Sequence, residues 1–118
     1  MRLGSFEAIV VDPDGSWRQV TVDRAHALRT LQHAVGGNIE AVYGTVCGTD
    51  TDVTLFVNDE GRLEGLPFNA AATGLWWQFN PFVRGREVLC GTVVVTGGCG
   101  DDGETLSVPL VVRDMLGE

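Results

Sequence analysis

The sequence predicts an α+β fold: a single globular domain over residues 1–118, built from an antiparallel or mixed sheet of five to seven strands, one main helix and two short helices. Two observations predict it. Several short segments of alternating or uniformly apolar residues are separated by turn-forming Gly, Asp and Asn, and one segment carries apolar residues at helical spacing. The 118 residues, 44% of them hydrophobic, suffice for one buried core.

The chain opens with a predicted hairpin. Strand-like residues 6–11 and 17–22 flank the sequence DPDGS, which is typical of a turn. Asp23 then provides a helix cap, because its carboxylate can accept hydrogen bonds from the unpaired N–H groups of a first turn. The main helix, predicted over 24–35, has one apolar stripe and ends at Gly36, which suits the left-handed conformation of a helix end.

Three strands are predicted in the middle of the chain. Residues 38–44 follow the double glycine directly, which allows a tight reversal from the helix into the sheet. Residues 53–57 alternate between apolar and other side chains, and the sequence NDEG at 58–61 is typical of a hairpin loop. A returning strand is therefore predicted over 62–66.

The second half begins with a short helix over 70–79, capped by Asn69 and stopped by the Asn-Pro pair that follows it. The run over 88–98 is apolar on both faces and predicts a central, buried strand. A further strand over 104–108 and a last short helix that begins around Pro109 complete the predicted fold.

Three blocks of sequence stand in a recognisable order: L-Q-x-x-V-G-G-x-I-E over 31–40, V-N-D-E-G over 57–61 and G-T-V-V-V over 91–95. This order resembles a small family of domains of unknown function found in bacteriophages, plasmids and actinobacterial genomes, which has V-N-E-E-G in the second block. The resemblance covers residues 16–116 and implies a setting, mobile genetic elements, rather than an activity. The chain departs from the family pattern at its Trp-Trp pair, in the 76–86 connection and at its cysteines.

Composition excludes several kinds of partner. The 16 Asp and Glu against 8 Lys plus Arg give a formal net charge of −8, which repels nucleic-acid phosphates and anionic membrane surfaces. No segment approaches the roughly 20 apolar residues that span a bilayer, and the N-terminal segment lacks a signal-peptide pattern. Three cysteines without a CxxC pair fit a reducing compartment. The sequence thus predicts a cytoplasmic protein, in the bacterial host's cytoplasm if phage-encoded.

The sequence holds no recognised motif for catalysis, metal binding or cofactor binding. His26 and His33 lie seven residues apart on the main helix, whereas metal sites on helices prefer spacings of three or four. There is no P-loop, no GxSxG and no HExxH. We therefore predict no catalytic residue, no metal and no cofactor, with an enzyme that has an unrecognised site as the alternative.

The strongest candidate site is the aromatic and arginine segment that begins in the second predicted helix. Trp76 and Trp77 point about 100 degrees apart on a helix, so both rarely fit one core. Arg84 and Arg86 share one face if residues 83–87 are extended, and could then hold a carboxylate or phosphate. Core tryptophans and charge-balancing surface arginines are the alternative interpretation. The predicted ligand-binding residues are Asn69, Trp76, Trp77, Arg84 and Arg86, with Phe79 and Phe82 in the same cluster.

Three functions follow as hypotheses. The leading one is a non-enzymatic accessory protein of a phage or other mobile element, which binds a host protein or sequesters a small anionic, nucleotide-like ligand in counter-defence. The alternatives are an enzyme with an unrecognised site and an acidic decoy that mimics nucleic acid on a host protein. A homo-oligomer is compatible with each of them.

Overall fold

Five strands form one sheet in the computed structural model of the chain, which describes residues 4–117. In chain order the strands are β1 (Ser5–Val11), β2 (Trp17–Asp23), β3 (Ile39–Thr45), β4 (Asp52–Asn58) and β5 (Val93–Gly97). A 3₁₀ turn at Arg24–His26 precedes helix α1 (Ala27–Val35), and the other helices are α2 (Ala70–Phe79) and α3 (Leu110–Gly117). The spatial order is β2-β1-β5-β4-β3, and all neighbouring strands are antiparallel. The predicted α+β fold is confirmed.

Helix α1 covers one face of the sheet. Asp23 accepts a hydrogen bond from the N–H of Ala25 at 3.0 Å, so it caps the 3₁₀ turn that leads into the helix. Gly36 ends α1 with a φ of 81°, as its sequence position predicted. Alternate strand residues point to this face and pack against the apolar stripe of the helix. The buried residues of this layer are Phe6, Ala8, Val10, Val22, Leu31, Val35 and Val94.

Helices α2 and α3 cover the opposite face and enclose the larger core. Leu75 and Trp76 of α2 and Val112 of α3 pack there against Val11 and Val95 of the sheet. Every residue of β5 is buried, because helices cover both of its faces and other strands flank both of its edges. This explains why Val93, Val94 and Val95 are apolar in succession instead of alternating with polar residues.

The prediction of a returning strand over 62–66 is wrong. Residues 59–65 form consecutive turns, and the N–H of Leu66 donates to the carbonyl of Gly61 at 2.9 Å within that segment. Because this hydrogen bond is local, the segment closes on itself and does not extend along β4.

The prediction of a strand over 104–108 is also wrong, since Thr105 alone forms an isolated bridge, to Cys99. The strand predicted over 88–98 is shorter than expected. Gly91 has a φ of 82°, which interrupts the extended chain before β5 begins.

Candidate functional site

Asn69, a predicted ligand-binding residue, is fully buried at the start of α2. Its side-chain oxygen accepts from the N–H of Ala72 at 2.9 Å and caps the helix. Its amide nitrogen donates to the carbonyls of Val11 at 3.0 Å and Gly91 at 2.9 Å. These bonds tie α2 to β1 and to the segment before β5, so Asn69 holds the fold together and faces no solvent.

The two tryptophans occupy different environments. Trp76 is buried in the core, and its indole nitrogen donates to the carbonyl of Tyr43 at 3.1 Å. Trp77 is half-buried, and its indole nitrogen donates to the carbonyl of Glu87 at 2.8 Å. The expectation that both do not share one core therefore agrees with their placement. Only Trp77 offers a surface to another molecule.

The segment with the two arginines is not extended, so the condition under which Arg84 and Arg86 would share one face of a strand is not met. Residues 81–86 form successive turns, which begin where the side chain of Asn80 accepts from the N–H of Phe82 at 3.1 Å. Arg84 and Arg86 are both exposed, and Arg84 donates to the carbonyl of Trp77 at 3.4 Å. The two arginines therefore stand on one turn, and the guanidinium of Arg84 lies beside Trp77.

A cavity lies next to this turn. It has a volume of about 720 Å³ and opens between the β3–β4 turn, the C-terminal end of α2 and the segment after β5. Its lining is mostly apolar and includes Tyr43, Val46, Val53, Phe79, Pro81 and Phe82. We call this end of the sheet, where β4 begins and β5 ends, the cavity end.

Two aromatic residues of the cavity are unusually exposed. Phe82 is 86% exposed and Tyr43 is 62% exposed, although both line it. Gly44 makes the cavity wall possible, since a Cβ there would lie 2.5 Å from the Cβ of Phe79. Sequence reasoning found Phe82 and missed Tyr43, and the isolated glycine inside a strand pattern was the available signal.

The cavity has little electrostatic attraction for an anion. Among the described residues, its only charged lining side chain is Asp52. Cys47 and Cys99 also line it as exposed free thiols. Arg84 and Arg86, which follow Phe82 in the chain, do not line the cavity. Groups that enter the cavity are therefore expected to be neutral and apolar.

Among the described residues, the two carboxyl groups with a lowered pKa lie elsewhere. Hydrogen bonds donated by Gln19 at 3.1 Å and Thr21 at 2.8 Å stabilise the carboxylate of Glu7 and lower its pKa. The side-chain and backbone hydrogen bonds of Ser16 lower the pKa of Asp14 in the β1–β2 turn. Neither residue lines the cavity, so these shifts are features of the β1–β2 hairpin.

Residues 4–117 contain no three His, Cys, Asp or Glu side chains placed to hold a metal ion. No helix in that part of the chain is long and apolar enough to cross a bilayer.

A protein-family model described as a domain of unknown function, DUF3846, matches residues 6–116. The chain belongs to the DUF3846 family. No curated protein and no solved structure is significantly similar to it. The prediction of a family of unknown function is thereby confirmed, and the DUF3846 match itself carries no activity.

In this DUF3846 domain the three sequence blocks, over 31–40, 57–61 and 91–95, meet at the end of the sheet opposite the cavity end. Asn58 donates to the carbonyl of Val35 at 3.3 Å, and a Cβ on Gly37 would lie 2.8 Å from the Asn58 side chain. Gly91 in turn packs against Leu66, where a Cβ would lie 2.8 Å from its side chain. We call this end the motif end, and its glycines and asparagine have packing roles.

Proposed function

We propose that this protein is a non-catalytic accessory protein of a bacteriophage or other mobile genetic element. It binds a host protein in the bacterial cytoplasm at the cavity end. The observation that carries the proposal is the apolar cavity of about 720 Å³ with the exposed aromatic rings of Phe82 and Tyr43 at its mouth. Exposed apolar surface of this kind marks interaction sites, and aromatic residues dominate the binding energy of interfaces.

The chemistry of the surface describes the partner. An apolar or aromatic side chain of the partner fills the cavity, because Asp52 is its only charged lining residue among those described. An acidic group beside that side chain meets Arg84 and Arg86, which are exposed on the adjoining turn. The surface of Trp77 belongs to the same patch, whereas Asn69 and Trp76 act from beneath by fixing α2.

A protein partner is favoured over a small anionic ligand. No arginine lines the cavity among the described residues, and the net charge of −8 opposes the approach of an anion. An exposed arginine on a turn holds a carboxylate weakly by itself, since solvent screens the charge. The apolar contact therefore supplies the affinity and the arginines supply orientation.

Site-specific photo-crosslinking in the bacterial host tests the proposal. A photoreactive amino acid replaces Phe82 in one variant and Leu63 in a matched control, because Leu63 is 88% exposed and lies at the motif end. The protein captured from position 82 alone is then purified, and its affinity is measured by calorimetry. We expect Phe82→Ala to weaken binding at least tenfold and Leu63→Ala to leave it unchanged.

The other hypotheses give different results in the same measurements. A decoy of nucleic acid would bind a basic protein, lose affinity steeply with salt and tolerate Phe82→Ala. Sequestration of an anion would show as a bound small molecule in native mass spectrometry that is lost in Arg84→Ala. An enzyme would turn over a compound. Equal crosslinking from positions 82 and 63 would contradict the proposed site.

A further inference from the structure

The sheet has two edge strands, β2 and β3, and side chains from α2 and its C-terminal cap cover part of β3. The N–H of Asp59 donates to the carbonyl of Asn38, so even-numbered residues of β3 form the hydrogen-bonded pairs with β4. The backbone N–H and C=O groups of the odd-numbered β3 residues therefore point away from β4. The outward carbonyl of Tyr43 accepts from Trp76 at 3.1 Å and from Asn80 at 2.9 Å. Trp76 of α2 and its C-terminal cap Asn80 therefore occupy this edge at Tyr43.

The edge of β2 is open. Glu7 lies opposite Thr21 and turns its own N–H and C=O away from β2, toward Ser107 and Val108. By the alternation of an antiparallel ladder, the odd-numbered residues of β2 point their backbone groups away from the sheet. Within residues 4–117, the outward groups of Trp17, Gln19 and Thr21 have no hydrogen-bond partner.

Strand β2 carries the charged residues Arg18 and Asp23 but lacks other features that protect edge strands. All seven residues pair one to one with β1, so there is no bulge, and the sequence WRQVTVD contains no proline, glycine or lysine. An open edge of this length is a template for another strand, because its N–H and C=O groups need partners.

We propose that a second copy of this chain occupies the edge, through antiparallel pairing of β2 with β2 about a two-fold axis at Val20. This register pairs all seven residues and places Gln19 opposite Thr21 of the other copy. Arg18 then faces Val22, and Trp17 faces Asp23, so no like charges oppose each other.

The register is also favourable for packing and closure. Half-buried Val20, which already packs against the layer under α1, meets its counterpart at a Cβ separation of roughly 4.5–5.5 Å. The two layers under α1 then become continuous across the axis. The two-fold contact uses the β2 edge of both copies, so it closes at the dimer. On each remaining β3 edge the outward carbonyl of Tyr43 is already occupied by Trp76 and Asn80.

Sedimentation equilibrium of the purified full chain tests the proposal, with an expected mass of twice the 12.7 kDa monomer at micromolar concentration. Two double variants test the register. Gln19→Lys with Thr21→Lys places like charges opposite each other twice, whereas Gln19→Glu with Thr21→Lys places opposite charges there. We expect the first to have a dimer dissociation constant higher than the second by on the order of tenfold.

Both double variants remove the hydrogen bonds that Gln19 and Thr21 donate to Glu7. Circular dichroism melting curves therefore check that the two variants are equally folded. A wild-type protein that stays monomeric at every concentration would overturn the proposal. It would do so even if the β2 edge binds an extended segment of another protein. Equal dissociation constants for the two folded double variants would overturn the β2 register. Neither result bears on crosslinking from position 82, which lies on the far side of the sheet.

Discussion

The two ends of helix α2 differ in how the surrounding chain uses them. At the motif end, Asn69 is fully buried and satisfies carbonyls from two other segments. At the cavity end, Asn80 is half-buried, donates to Tyr43 and accepts from Phe82, while the neighbouring aromatic ring stays in solvent. One end is packed and hydrogen-bonded inward, and the other presents apolar surface outward.

This difference separates the residues that specify the fold from those available for binding. Within residues 4–117 every buried side-chain nitrogen and oxygen has a hydrogen-bond partner, so the buried polar side chains of the motif end are satisfied by the fold itself. The cavity end keeps apolar surface that folding does not bury. The proposed binding surface lies at the cavity end, although the recognisable sequence blocks lie at the other end.

Replacing Asn69 gives the largest expected effect. Asn69→Ala removes a helix cap and leaves two buried carbonyls short of a donor, which lowers the free energy of unfolding by about 3–5 kcal/mol. Asn80→Ala is the matched control at the other end of α2. It costs about 1 kcal/mol, because Trp76 still donates to the Tyr43 carbonyl. Urea unfolding followed by tryptophan fluorescence measures both, and equal losses would erase the contrast between the two ends.

The sequence predicted the features that depend on neighbouring residues. Helix α2 begins and ends where Asn69 and the Asn-Pro pair indicated, and Gly36 ends α1, because caps act within one turn. The successive valines of β5 predicted a central strand, because a strand that is covered on both faces carries apolar residues on both. Local signals thus predicted the three α-helices and the five observed strands in their order, together with two strands, over 62–66 and 104–108, that the chain does not form.

The cavity could not be predicted in the same way. Its walls come from the β3–β4 turn, the end of α2 and the segment after β5, which lie far apart in the chain. The direction of Trp76 depends on the Tyr43 carbonyl, a contact across 33 positions. The prediction of a strand over 62–66 was wrong because the turns at 59–65 form hydrogen bonds within the segment. The pattern of apolar and polar residues does not reveal these local bonds.

Gly37 tests the close packing of the motif end. In Gly37→Ala the new Cβ would lie 2.8 Å from the Asn58 amide, so this side chain shifts and its bond to Val35 weakens. We expect a loss of about 1–3 kcal/mol in the free energy of unfolding. Gly74→Ala on α2 has open space around it and should gain up to about 1 kcal/mol. Thermal denaturation compares them, and a neutral Gly37→Ala would show that this end tolerates expansion.

Phe82 tests whether the cavity end is free of the core. The ring is 86% exposed, so Phe82→Ala should change the free energy of unfolding by no more than about 0.5 kcal/mol while it reduces partner binding. The same urea titration used for the asparagine variants measures this change. A loss well above about 1 kcal/mol would mean that the ring packs in the folded monomer, and would remove the main reason to regard it as a binding residue.

Glu7 gives the smallest expected effect and isolates the contribution of burial to the contrast. Like the side chain of Asn69, that of Glu7 forms more than one hydrogen bond, since its carboxylate accepts from Gln19 and Thr21. Unlike Asn69, Glu7 is only half-buried, in the β1–β2 hairpin. These bonds lower the folded-state pKa of Glu7, so their stabilisation is present above the unfolded-state pKa and is lost as the pH falls through the folded-state pKa. Thr21→Val removes one donor and should raise the pKa of Glu7 toward its ordinary value, as read by NMR titration of the carboxyl carbon. An unchanged pKa would mean that the Thr21 hydroxyl does not stabilise the carboxylate in solution. If the pKa rises while stability at neutral pH barely changes, the large cost expected for Asn69→Ala follows from its burial rather than from the number of its hydrogen bonds.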